Sequence, residues 1–222
     1  MFDGTVNVKL YAGDIKIYFE IVNNANVDCL QKGINDLCTW AERWQLKLSV
    51  DKCFHLRGGL IKSAPNATYT LYGNQLSLIN EARDLGVLID AQLSLKPHIN
   101  VIVAKAHMTA GQILRCFRSR DTETLIRAFI TYVRQLLEYC TPIWSPYSVG
   151  MIKLKRVESV QRAFTKKLPY MKCLTYKKRL SAFCQESLEL RHLKADLIVC
   201  FKILRGFTDV IPSDFFVVVM PY

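Results

Sequence analysis

NVKLYAGDIKIYFE, residues 7–20, alternates apolar and polar positions on either side of a short polar centre. Val8 and Leu10 run towards the centre, and Ile15, Ile17 and Phe19 lead away from it. This is the pattern of two half-buried strands joined by a tight turn. The turn reads Tyr11-Ala12-Gly13-Asp14. Gly13 is conformationally permissive and is expected to cost the turn little.

Beyond the hairpin, Val27, Leu30, Ile34, Leu37, Ala41 and Trp44 recur at helical spacing, with Asp28 and Lys32 facing away. Leu46, Leu48 and Val50 alternate as a strand. Tyr69 and Leu71 predict another, Gly73-Asn74 a turn, and Leu76 and Leu78 the return strand. The run 84–90 is apolar between acids and predicts one buried strand. From about residue 96 the period becomes helical. One stripe holds Ile99 to Phe117, with Pro97 in the first turn. Asp121 caps a second helix with Glu123 in its first turn, and apolar positions continue from Leu125 to Leu137. Pro142 and Pro146 break the chain around Trp144. Leu154, Val157, Val160, Phe164 and Leu168 mark a third helix; Leu190, Leu193, Leu197, Phe201 and Leu204 mark a fourth. The predicted fold class is α+β, antiparallel hairpins with one helix, followed by an all-α bundle. The predicted boundary lies near residues 91–97. Trp40, Trp44 and Trp144 are expected in the core.

Composition excludes several classes. Half of the 222 residues are apolar and 22% are charged, a globular balance. No apolar run is long enough to span a bilayer, and the N-terminus lacks a secretory signal, so the expected location is intracellular, cytoplasmic or nuclear, with no membrane and no secretion. The eight cysteines contain no Cys-x-x-Cys pair, and the four histidines are scattered. A structural zinc site or disulfide framework is not expected; reduced, mostly buried thiols are. Residues 1–111 carry a net charge of +1 and residues 112–222 a net of +10. Lys153, Lys155, Arg156, Arg162, Lys166, Lys167, Lys172, Lys177, Lys178 and Arg179 are opposed within 153–179 only by Glu158. Tyr170 and Tyr176 are interleaved. Such a cluster suits sequence-independent contact with phosphates.

A Tyr-x-Asp-Asp hairpin has a specific chemistry. Nucleotidyl transfer uses two divalent metals about 3.5–4 Å apart, and Mg²⁺ needs hard carboxylate ligands on a rigid mount. Residues 8–20, VKLYAGDIKIYFE, resemble the Tyr-Ala-Asp-Asp hairpin (motif C) of a reverse-transcriptase palm. CTWAERWQLKLSVDKCFHL (38–56) and DLGVLIDAQLSLKPHI (84–99) resemble the palm elements that follow it. VRQLLEYCTPIWSPY (133–147), VESVQRAFTKKL (157–168) and LSAFCQESLELRHLKADLI (180–198) resemble the helical region beyond the palm in jockey-type, LINE-like non-LTR retrotransposons.

The resemblance implies a C-terminal palm portion with motifs C, D and E over residues 1–95. It implies a thumb and adjoining helices over 96–216, then an atypical apolar tail at 217–222. The family's RNA-directed DNA polymerases use Mg²⁺, an RNA template and a DNA primer. Their main metal-binding Asp of the hairpin corresponds to Gly13. Asp14 takes the second, less central position, leaving an incomplete metal site. The further catalytic Asp, on motif A, belongs upstream of residue 1, and Asp3 cannot replace it. Tyr11 and Ala12 correspond to nucleotide-site positions, and Lys52 to a palm lysine that steers pyrophosphate. The expectation is a catalytically inactive fragment, with two rivals: a non-catalytic basic nucleic-acid-binding module, or a relic without function.

Overall fold

The computed structural model describes residues 6–59, 65–118, 120–144 and 151–216, with the side chains of 151–154 excepted. Asp3, Pro146, the side chains of Lys153 and Leu154, and the 217–222 tail lie outside the described residues. The chain forms two compact units that meet in sequence between Ser94 and Leu95.

The first unit begins with the hairpin β1 (Asn7–Tyr11) and β2 (Asp14–Tyr18), paired from Asn7↔Tyr18 to Tyr11↔Asp14. Helix α1 (Asn24–Arg43) follows. Asn23 and Asn26 close a reciprocal capping box: each amide oxygen accepts from the other's backbone N–H, at 3.0 and 3.1 Å. The helix ends in a Schellman motif, with Gln45 at φ 55° and Leu46 N–H donating to the Ala41 carbonyl at 2.8 Å. Ile34 packs with Tyr69, Leu71 and Leu76. Gly33 faces Val6 so closely that an added Cβ would lie 2.7 Å from Val6 Cγ2.

Six short strands complete this unit: β3 (Phe54–Leu56), β4 (Thr70–Leu71), β5 (Asn74–Gln75), β6 (Ser77–Ile79), β7 (Glu81–Asp84) and β8 (Val87–Asp90). β4–β5 and β7–β8 are hairpins, whereas β3 and β6 pair in parallel. Their turns, Tyr72-Gly73 and Leu85-Gly86, put both central residues at positive φ. That is the I′ pattern matching the strand twist. Gln31 of α1 brackets Thr70: its Oε1 accepts from the Thr70 N–H and its Nε2 donates to the Thr70 carbonyl, both at 2.9 Å. One amide side chain thus stands in for a neighbouring strand.

Three sequence expectations fail here. The strand over Leu46–Val50 is absent: Leu48 and Val50 do pack on the core, but among the described residues no partner strand lies beside them and the chain enters a 3₁₀ turn, Val50–Lys52. The single buried strand over 84–90 is a hairpin, because Leu85 and Gly86 reverse the chain; of its residues only Val87 is buried. Trp44 is 62% exposed, since it is the residue at which α1 stops and turns away.

The second unit is helical: α2 (Lys96–Cys116), α3 (Thr122–Phe129), α4 (Gln135–Glu138), α5 (Thr141–Trp144), α6 (Met151–Lys166), α7 (Tyr176–Ala182) and α8 (Leu188–Leu204). Asp121 caps α3 by accepting from the Thr124 N–H at 2.8 Å. A π segment, Ile130–Arg134, joins α3 to α4, so the expected continuous helix is interrupted. Pro142 lies inside the short α5; the break falls at Cys140, at φ 54°. Phe129 stacks on Phe164 at 4.6 Å.

Trp144 is wholly buried between two histidine rings, His98 at 5.6 Å and His192 at 5.5 Å. Its Nε1–H donates to the Tyr139 carbonyl at 2.6 Å. His192 Nε2 pairs with the Leu137 carbonyl at 2.8 Å. This contact decides how α8 is rotated. Its buried positions are Leu188, His192 and Ile203, while Leu197, Phe201 and Leu204 are more than half exposed. Most of the stripe from Leu190 to Leu204 therefore points to solvent, with Leu193 half-buried, opposite to expectation. The cysteines also differ: all eight are free thiols, but none is fully buried, and Cys116, Cys173 and Cys184 are exposed.

Burial holds the His192 imidazole below its ordinary 6.5, outweighing the opposing influence of Glu138, Asp196 and Glu158. A depressed folded value means that the unfolded chain binds the proton first. The contribution is complete above pH 6.5 and is lost as pH falls through the folded value. The thermal midpoint should drop as pH falls below about 6.5, and His192→Gln should shrink that slope in scanning calorimetry.

Candidate nucleic-acid interface

Two places could carry chemistry, the hairpin tip and the basic face of the second unit. At the tip, Tyr11 and Asp14 are cross-strand partners, and Tyr11, Ala12, Gly13 and Asp14 are all exposed. The positive φ falls on Ala12, at 50°, and not on Gly13. The expectation that glycine relaxes this turn is thus displaced by one residue: alanine carries the strain. A Cβ at position 13 would meet nothing within 4 Å. Lys52 is exposed on the 3₁₀ turn, and nothing among the described residues ties it to Asp14. Lys16, on the same strand face as Asp14, forms an ion pair with Asp84 of β7. Among the described residues no three His, Cys, Asp or Glu side chains converge as a metal site. The tip offers one carboxylate among the described residues where a two-metal centre needs several, so the residues present do not fit the Mg²⁺ pair.

The basic face has more structure. At 100° per residue, Lys155, Arg162 and Lys166 fall within an arc of about 40° on α6, diametrically opposite Val157 and Phe164. All three are exposed, whereas Val157, Val160 and Phe164 are buried. The arc runs about 16 Å along the helix. Arg156 and Lys167 both lie to one side of it, about 100–120° round the helix; Arg156 donates to Asn100 Oδ1 at 2.7 Å, so it is partly committed to α2. Lys177 and Lys178 stand exposed on α7. Lys155, Lys166, Lys167, Lys177 and Lys178 make no ion pair among the described residues.

Arg179 does not belong to this surface. It is 4% exposed. Its Nε donates to Thr165 Oγ1 at 3.2 Å, and its Nη1 and Nη2 to the carbonyls of Leu174 and Arg162 at 2.7 and 3.4 Å. The guanidinium ties the end of α6, the following loop and α7 together. The run of like charges concealed this, because sequence cannot tell a buried cation from its solvated neighbours.

Sequence reasoning also missed the role of Glu158. It is buried, accepts from the Tyr176 hydroxyl, and accepts the Glu189 N–H at 3.1 Å. The Arg162 and Arg179 guanidiniums lie 4.6 and 5.5 Å from the centre of the Tyr176 ring. Burial first, then the Glu158 carboxylate, push the Tyr176 phenol far above its ordinary value. The visible signal was the lone acid among ten bases. Glu158, Arg162 and Tyr176 line a cleft of about 430 Å³ with Lys177, Ser181 and Glu186.

No family model matches this chain, and no solved structure matches it. It is 28% identical over 152 residues to an uncharacterized Caenorhabditis elegans protein, covering 62% of this chain and 75% of that protein. It is 29% identical over 140 residues, 60% of this chain, to a probable RNA-directed DNA polymerase from transposon BS of Drosophila melanogaster. It is 28% identical over 99 residues, 44% of this chain, to an RNA-directed DNA polymerase from the mobile element jockey of Drosophila funebris. The chain spans only 15% and 11% of those two polymerases. Over these stretches it is a distant, partial relative of mobile-element reverse transcriptases.

Arg179→Met should lower stability by about 2–3 kcal/mol in urea unfolding, because the Leu174 and Arg162 carbonyls lose a charged donor. Lys166→Ala, Lys167→Ala, Lys177→Ala and Lys178→Ala should each stay within about 0.5 kcal/mol.

Proposed function

We propose that this chain is a nucleic-acid-binding piece of a non-LTR, jockey-type reverse transcriptase, without polymerase activity of its own. In this reading residues 1–95 correspond to the end of the palm and 96–216 to the thumb and its adjoining helices. RNA template and DNA primer are the ligands of the parent enzyme, and phosphate backbone is the ligand here. The observation that carries the reading is the solvent pole of α6, Lys155–Arg162–Lys166, continued by Lys177 and Lys178 on α7. The lysines among these cations are held on packed helices and make no ion pair among the described residues, and Arg162 lies over the Tyr176 ring at their edge, an arrangement that suits the group to phosphates.

The absence of activity rests on Gly13 and on the single carboxylate at the hairpin tip. Glycine is not demanded there by the backbone, since Gly13 is not in the left-handed region and has open space around its Cα. An acid could stand at this position without refolding the turn. Its replacement by glycine removes a ligand and leaves the mount.

Purified chain should bind RNA or DNA with an affinity falling linearly in log–log salt plots. Each phosphate contact should add about 0.7–0.9 to the slope. A flat plot would remove the phosphate-binding reading. Primer extension with Mg²⁺ should show no incorporation, and Gly13→Asp should fold normally and still incorporate nothing. Detectable extension by either chain would overturn the proposed inactivity. Of the rival readings, a relic without function predicts neither cooperative unfolding nor binding.

A further inference from the structure

Tyr170 is 96% exposed, more than any other large apolar or aromatic side chain among the described residues. It sits in the loop between α6 and α7, where the Met171 N–H donates to the Leu168 carbonyl at 3.2 Å. Leu168-Pro169-Tyr170-Met171 is therefore a hydrogen-bonded β-turn. Proline occupies its second position, and Tyr170 its third at φ 61°. Proline followed by positive φ is the type II pattern, whose third position favours glycine because a Cβ is crowded there. The fold gains nothing from tyrosine at this place. Its ring packs on nothing among the described residues, and its backbone is strained.

The loop that displays it is braced. Leu168 is buried and anchors its start. The Leu174 N–H donates to the Met171 carbonyl at 3.2 Å, and buried Arg179 holds the Leu174 carbonyl at 2.7 Å. Lys166, Lys167 and Lys172 lie within four residues of the ring and are exposed. A rigidly presented aromatic face among free cations is the combination that takes an unpaired base: the lysines meet phosphates, and the ring stacks on the base. Tyr176, six residues on, lacks this capacity because Glu158 and two guanidiniums enclose it.

We propose that Tyr170 is a stacking residue for an unpaired nucleobase, so that the basic face prefers single-stranded nucleic acid over duplex at this loop. This rests on the phosphate-binding reading above and adds to it a ligand class and a contact. The test compares dodecameric oligouridylate with an RNA duplex of equal length, by fluorescence anisotropy of the labelled oligonucleotide over a salt series. Y170A should weaken oligouridylate binding about tenfold, leave duplex binding within about twofold and leave the salt slope unchanged. Y170W should restore it. K166A/K167A should weaken both ligands and reduce the slope for oligouridylate by about 1.4. Y170G and Y170A should unfold at or above the parent's thermal midpoint. If Y170A binds oligouridylate like the parent, or unfolds at a lower midpoint, the stacking role is wrong while phosphate binding stands. If the parent chain binds neither ligand with a salt-dependent affinity, both readings fall together.

Discussion

A guanidinium taken out of water without a carboxylate to meet it constrains the helical unit of this protein. The Arg179 hydrogen bonds go to a hydroxyl and two carbonyls, none of which carries charge. Such burial is costly unless the donors are well matched, and removing the cation strands the oxygens it serves. Those oxygens lie on α6, on the loop after it and just before α7. The register between the two helices, the brace on the loop and the outward aim of Lys177 and Lys178 all follow. The neighbouring Glu158–Tyr176 contact adds a second link between the same helices and onward to the start of α8.

The first unit solves a different problem. Its strands are two to five residues long, and they pair only in twos. Such ladders have little stability alone, so α1 supplies the surface on which they pack. Gly33 allows the chain entering β1 to approach the helix closely, and Gln31 supplies the hydrogen bonds that a further strand would. The hairpin tip projects away from this support, which leaves Tyr11 67% exposed.

Much of the architecture was legible. Capping by Asp121, the place of Pro97 in the first turn of α2, the opening hairpin and the apolar face of α6 are local in origin, governed by backbone propensity and by residues a few positions apart. What escaped was the choice between equally apolar faces. Leu46–Val50 alternates like a strand and lacks a partner. On α8 the leucine-rich stripe faces solvent because the interior already held Trp144, which accommodates the smaller, polar face bearing His192. In the basic segment, ten like charges read alike, and one of them proved to be a strut.

The sequence by itself determined the order of helices and hairpins, the concentration of positive charge after residue 111, and a turn between alternating strands that carries Gly13 beside a lone Asp14. These are properties of composition, periodicity and short spacing, which need no partner to be read. Only the tertiary structure decided which cations are free, since Arg179 and Lys178 are adjacent in sequence and opposite in burial. It also separated Tyr176, enclosed by charged groups, from Tyr170, held in a strained turn in open solvent. The reason is that burial depends on contacts between residues distant along the chain. Packing sets those contacts; local pattern does not.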